Sequence, residues 1–119
     1  MFPFRKRPRT GMSPTEAVAA ANDRNLTLID VRERAEITLT GKAKGAIHVP
    51  LSRLRDMADP RHPDFDDAFR QTGPIALYCA SGGRSQTALG LLQQLGYGDL
   101  HNIGGLGHWV QAGGAIEPA

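Results

Sequence analysis

Ile75-Ala76-Leu77-Tyr78-Cys79-Ala80-Ser81-Gly82-Gly83-Arg84-Ser85 is the stretch that decides how this chain folds. Gly73 and Pro74 open it as a turn, and the run IALY that follows is short, apolar and β-forming, the signature of a strand buried on both faces. The run ends at the single cysteine and passes through a loop of small residues. It then enters Ser85 to Leu95, where Ala88, Leu91, Leu92 and Leu95 fall at helical spacing and Gly96 supplies a stop. Strand, tight loop and helix in that order form the unit of a parallel α/β sheet, which binds ligands outside the carboxyl ends of its strands.

The same alternation extends in both directions. Ser13, Pro14 and Glu16 start a helix expected over 14–23, with a hydroxyl cap, proline in the first turn and glutamate three residues on. Leu26 to Val31 reads as a buried strand, Arg32 to Leu39 as a short helix closed by Gly41, and Ala46 to Val49 as a strand stopped by Pro50. Leu51 to Met57 has helical spacing, Asp59 to Pro63 is loop, and Asp64 to Gln71 is a short helix with Phe65, Ala68 and Phe69 on one face. Beyond the central unit, Leu100 to Ile103 is a last strand. Gly104 and Gly105 permit a turn and close packing at a helix N-terminus, and Leu106 to Ala112 closes the fold with Trp109 in the core.

The 119 residues, 40% hydrophobic and 22% charged, build one domain of modest core. No apolar run approaches the ~18 residues that span a bilayer, so no membrane association is expected. Residues 1–12 form a basic arm carrying Arg5, Lys6, Arg7 and Arg9, with none of the apolar run of about 7 to 15 residues that a secretory signal needs. The expected compartment is the cytoplasm. The arm holds four of the 14 basic residues, so the rest of the chain, with 12 acidic residues, is mildly acidic. That balance reads as a solvated terminus, and no nucleic-acid partner is expected. One cysteine excludes an intrachain disulfide and a thiolate cage, and His48, His62, His101 and His108 lack metal-site spacing. Neither a metal nor a cofactor is expected.

The chemistry sits at Cys79. A thiol attacks only as thiolate, and a free cysteine titrates near ~8.5, so the anion needs stabilising. Three features converge on it: a strand ends there, Gly82 and Gly83 can turn backbone N–H groups inward, and the next helix aims its positive end at the same place. Arg84 adds a permanent charge. A cysteine present only for packing needs neither two glycines nor an arginine five residues on.

LIDVRE at 28–33, the run from Gly41 to Leu51 ending GAIHVPL, YCASGGRS at 78–85 and IGGLGHW at 103–109 occur here in that order. In that combination the chain resembles the rhodanese family of single-domain sulfurtransferases. The resemblance implies an α/β fold, a single rhodanese-like domain over 13–119 with a central five-stranded parallel sheet and helices on both faces. It implies that Cys79 carries sulfur as a persulfide, and that Ala80, Ser81, Gly82, Gly83 and Arg84 form the substrate-binding loop around it. Asp30 and Arg32, with Glu33, match the family's charged segment and are expected to support the site; a strand-end aspartate can equally cap the following helix. Thr38, Gly41, Lys42 and Ala43 stand where many relatives carry an aromatic residue and then Gly-His-Ile, a departure that bears on subfamily.

The family's cysteine-dependent phosphatases use Cys-x5-Arg, whereas Cys79 to Arg84 is the tighter Cys-x4-Arg, so phosphatase chemistry is disfavoured. The reaction implied is transfer of sulfane sulfur from thiosulfate or a persulfide donor, through Cys79, to cyanide, a small thiol or a protein thiol. Arg84, helped by Arg32 or Lys42, is expected to attract the anionic donor. The alternative is a persulfide carrier or interaction module with little turnover alone. A rhodanese-like regulatory domain without catalysis stands third.

Overall fold

The computed structural model describes residues 11–119, so Arg5 to Arg9 of the expected arm lie outside the described residues. Helix α1 (Pro14–Asn22) opens with the anticipated capping box: the Ser13 hydroxyl accepts from Glu16 N–H, and the Glu16 carboxylate accepts from Ser13 N–H. Strand β1 (Thr27–Asp30), helix α2 (Arg34–Thr40), strands β2 (Lys42–Ala43) and β3 (Ile47–His48) and helix α3 (Leu51–Ala58) follow. A 3-10 turn (Asp67–Arg70) leads into β4 (Ile75–Cys79), α4 (Gly83–Gln94), β5 (Leu100–Gly105), α5 (Leu106–Gln111) and β6 (Ile116–Glu117).

The central sheet is parallel and runs β3-β1-β4-β5. It has four strands among the described residues, which corrects the expected five. The two remaining extended pieces, β2 and β6, pair with each other antiparallel, Lys42 opposite Glu117 and Ala43 opposite Ile116. The cause is local. Ala46 N–H bonds back to Ala43 O in a tight turn, Lys44 N–H takes Ala115 O, and Lys42 forms an ion pair with Glu117. These bonds commit the hydrogen-bonding groups of the β2 segment to the C-terminal segment rather than to the main sheet. The residues themselves offer four strand-like runs; the fifth strand was implied by the resemblance.

Side chains alternate across the sheet as a period of two requires. Ile29, Val31, Ile75, Leu77 and Cys79 face the α3–α4 side, where they meet Leu54, Ala88, Leu89 and Leu92. Leu28, Ala76, Tyr78 and Ile103 face the other side, against Ala17, Leu106 and Trp109 of α1 and α5. Each fully buried Leu or Ile stabilises the fold by about 1.5–3 kcal/mol relative to exposure. Helix α4 begins two residues before the expected Ser85, and its inner stripe is Ser85, Ala88, Leu89 and Leu92, with Leu91 and Leu95 only partly covered. Over Asp64 to Gln71 only the 3-10 turn Asp67–Arg70 forms, capped by Asp66, whose carboxylate accepts from Ala68 N–H. Phe69 is still buried there, tilted against Tyr97 at 5.9 Å between ring centroids.

Candidate active site

Cys79 is the last residue of the central strand β4 and only 1% exposed. Ala80 and Ser81 carry the chain out to the surface, and Gly82 turns it back with φ +112, a conformation L side chains rarely adopt. That turn aims Gly82 N–H at Cys79 Sγ, 3.0 Å away, and makes Gly82 the N-cap of α4. The sulfur therefore faces the positive end of a 12-residue helix. Ser85, in the first turn of α4 and fully buried, brings its hydroxyl to 3.4 Å from Sγ. Burial pushes the Cys79 thiol up, but the Ser85 hydroxyl and the backbone N–H groups of Ser85, Ser81 and Gly82 outweigh it and pull the group down to about 7. About half the cysteine is then thiolate at neutral pH. The thiol is buried, yet the N–H groups that stabilise its anion face it.

Gly104 and Gly105 pack against this loop from β5. A Cβ on Gly105 would stand 2.1 Å from Ala80 O and 2.7 Å from Ala80 C, so only glycine lets the two backbones approach this closely. Gly105 N–H in turn donates to His108 Nδ1 at 2.9 Å. The glycine pair thus serves close packing at the start of α5, as its position in the sequence suggests.

Arg84 does not point freely toward a donor. Its two terminal nitrogens bind the Glu36 carboxylate of α2 at 2.6 and 2.8 Å. Hydrogen bonds from Arg84, helped by Glu33 N–H, hold Glu36 down at about 2. Lys42 is likewise committed to Glu117.

Asp30 and Arg32 form a buried pair on the opposite side of the sheet from the thiol. Asp30 is fully buried and accepts from Arg32 Nε and Nη2, from Arg32 N–H, and from the Tyr78 hydroxyl at 2.6 Å. Arg32, 3% exposed, also donates to Thr40 Oγ1 and Gly41 O. Burial and the Asp30 hydrogen bond push the Tyr78 hydroxyl well above its usual range. Tyr78 immediately precedes Cys79 and points the other way, so this network ties the ends of β1, β4 and α2 together without touching the sulfur. Asp30 is not the cap of α2; Glu33 occupies that place. His48 Nε2 lies 2.6 Å from Arg32 O, a bond that secures the same corner.

Three residues at the site were not singled out from the sequence. Ser85 carries a signal, being a polar residue on the inner stripe of α4. Asn102 is a polar residue on the strand face that also carries buried Leu100. Glu36 carried none, since its partner Arg84 lies 48 positions away. Among the described residues no group of three His, Cys, Asp or Glu side chains could hold a metal ion, and no helix is long and apolar enough to cross a membrane.

Sheet, loop and helix together define an α/β domain organised around one stabilised thiol. The model of the rhodanese-like domain family matches residues 13–112, and the chain belongs to that family. It is 30% identical over 106 residues to the mouse thiosulfate sulfurtransferase/rhodanese-like domain-containing protein 3, covering 84% of this chain and 68% of that one. The human single-domain sulfurtransferase TSTD1 superposes with a TM-score of 0.69 at 26% identity, over 89% of this chain and 97% of that one. A Rhodopseudomonas palustris protein of unknown function, described as a possible tyrosine phosphatase, superposes with a TM-score of 0.82 at 29% identity, over 92% and 85% of the two chains.

Proposed function

We propose that the protein is a sulfurtransferase that moves sulfane sulfur through a persulfide on Cys79, with thiosulfate or a persulfide as donor. The observation that carries this reading is the Gly82 N–H on Sγ at the mouth of α4, in a loop one residue too short for the phosphatase pattern. The sulfurtransferase names of the mouse and human relatives support it. The Cys79 thiolate attacks the outer sulfur of thiosulfate; a new S–S bond forms at Cys79, the old one breaks, and its electron pair leaves with sulfite. The persulfide anion takes over the negative charge that the loop N–H groups and the helix end stabilise. Cyanide, a small thiol or a protein thiol then attacks the outer sulfur and restores the thiolate. The chain has no second cysteine, so the sulfur leaves the molecule rather than passing to an internal thiol. Ala80, Ser81, Gly82, Gly83 and Arg84 line the approach in this proposal.

A persulfide carrier with little turnover alone is the second reading. It is favoured by the engagement of Arg84 with Glu36, which leaves that guanidinium partly neutralised toward a dianionic donor. Thiocyanate production from thiosulfate and cyanide tests the proposal. Turnover by the wild type that vanishes in Cys79→Ala supports it, and equal rates in the two overturn it. Negligible turnover from thiosulfate together with fast transfer from a protein persulfide selects the carrier.

A further inference from the structure

Asn102 joins the loop after Cys79, the first turn of α4 and the end of β5. Its amide is fully used. Nδ2 donates to Gly82 O at 3.0 Å and to Gln86 Oε1 at 3.1 Å, while Oδ1 accepts from the Ser85 hydroxyl at 2.7 Å and from Gly104 N–H at 3.0 Å. An asparagine amide offers two donors and a two-lone-pair oxygen, and all four places are filled. Two of those partners are the residues that address the sulfur. Gly82 carries the N–H that lies 3.0 Å from Sγ, and Ser85 carries the hydroxyl 3.4 Å from it.

We propose that Asn102 is a positioning residue of the thiol site: by clamping Gly82 O it fixes the turn whose N–H faces the Cys79 anion, and by accepting the Ser85 proton while the thiol is neutral it keeps that hydroxyl beside the sulfur. The inference rests on the proposed reading of Cys79 as the sulfur carrier and adds to it a residue that does not touch the sulfur.

The proton count shows why the arrangement responds to the charge on sulfur. Ser85 has one hydroxyl proton and three acceptors within reach, Asn102 Oδ1 at 2.7 Å, Sγ at 3.4 Å and, more distant, Gly104 O at 3.5 Å. With a neutral thiol, that proton rests on Asn102. With a thiolate or a persulfide anion, it rotates onto the sulfur, and Asn102 Oδ1 keeps Gly104 N–H as its partner. No buried polar group is orphaned in either state, so the switch avoids the penalty that an unpaired amide oxygen carries. The Gly82 carbonyl also accepts from Gln86 N–H at 3.1 Å, but that bond lies along the helix; the lateral bond from Asn102 is the one that ties the turn to the sheet. The charged groups around the thiol are Arg84 on α4 and, beside that guanidinium, Glu36 on α2 and Glu33 just before it; none of them contacts Asn102.

The test is the titration of Cys79 in the full chain, followed by thiolate absorbance, which requires no reagent to reach the buried sulfur. Asn102→Asp is nearly isosteric, cannot donate to Gly82 O and adds a negative charge. Asn102→Ala removes the clamp altogether. Both are expected to lose about fivefold in thiolate at neutral pH, from about half to about a tenth, an upward displacement of the inflection by about one unit. Titrations that overlay the wild type overturn the inference. Wild-type protein gives a second reading whatever the variants do: the Asn102 side-chain amide resonances should move with the inflection of the thiol itself, and resonances blind to that inflection also overturn it. The sulfur-transfer reading fails independently, by absence of a Cys79 persulfide in wild type whichever way the titrations fall.

Discussion

Gly105→Ala should disable the thiol site from a residue that never meets the sulfur. The added methyl would sit 2.1 Å from Ala80 O, 2.7 Å from Ala80 C and 3.2 Å from Ser81 Cα, all backbone atoms of the segment that leaves Cys79. Non-bonded carbon contacts settle near 3.5–4.0 Å, so the two backbones must separate by about 1 Å or more. Backbone cannot rotate aside as a side-chain tip does. The loop therefore shifts, and with it the Gly82 N–H that addresses Sγ. A displacement of that size at a reacting centre costs on the order of 100-fold in rate, and overpacking of this kind costs about 1–3 kcal/mol in stability. Gly107→Ala, two residues on, is the internal control. Gly107 is exposed in α5 with nothing within 4 Å of the added methyl, and replacing a helical glycine there should stabilise by about 0.5–1 kcal/mol with the rate unchanged. Urea unfolding and the rate of sulfur uptake from thiosulfate read both variants. Wild-type rate and stability in Gly105→Ala refute the reasoning.

Sulfur uptake should rise with pH through about 7, where the thiol loses its proton, and level off above it; Ser85→Ala should carry that inflection upward toward the ~8.5 of free cysteine. A wild-type inflection already near that value would count against the assigned role of the loop donors. Asp30→Ala should destabilise the fold by about 3–5 kcal/mol, since it strands the Arg32 guanidinium and the Tyr78 hydroxyl in the interior, and an unchanged urea midpoint would contradict this. Glu36→Gln should return Arg84 to the donor, lowering KM for thiosulfate severalfold while changing stability by no more than about 1 kcal/mol for so exposed a pair; an unchanged or raised KM would show that Arg84 does not meet the donor.

What could be read from the sequence follows from the range of the forces involved. Local signals held: the Ser13 capping box, the apolar runs of β1 and β4, and the glycine that ends α2 are decided by neighbours in the chain. Helix α4 starts earlier than the apolar spacing indicates because Gly82, in a left-handed conformation, caps it three residues before Ser85. The extra strand pair escaped because Lys42 and Ala43 meet Ile116 and Glu117 across most of the chain, and two-residue strands leave no periodicity to detect. At the site, the placement of Cys79 before a glycine turn and a helix was legible from spacing alone. Arg84 with Glu36 and Ser85 with Asn102 were not, because each is a pairing of side chains from separate elements that no local pattern announces. The charged segment Asp30 and Arg32 shows the converse: the residues stand out in the sequence, while the structure uses them to lock the sheet on the face away from the thiol.

Whether Cys79 acts as the sulfur carrier is read directly by the mass of the intact chain after exposure to thiosulfate or a small persulfide. A sulfur-carrying Cys79 gains one sulfur atom, mapped by fragmentation to Cys79, removed by cyanide with return of the starting mass, and absent from Cys79→Ser. A wild-type chain that stays unmodified with both donors, or a Cys79→Ser chain that gains the same sulfur, contradicts it.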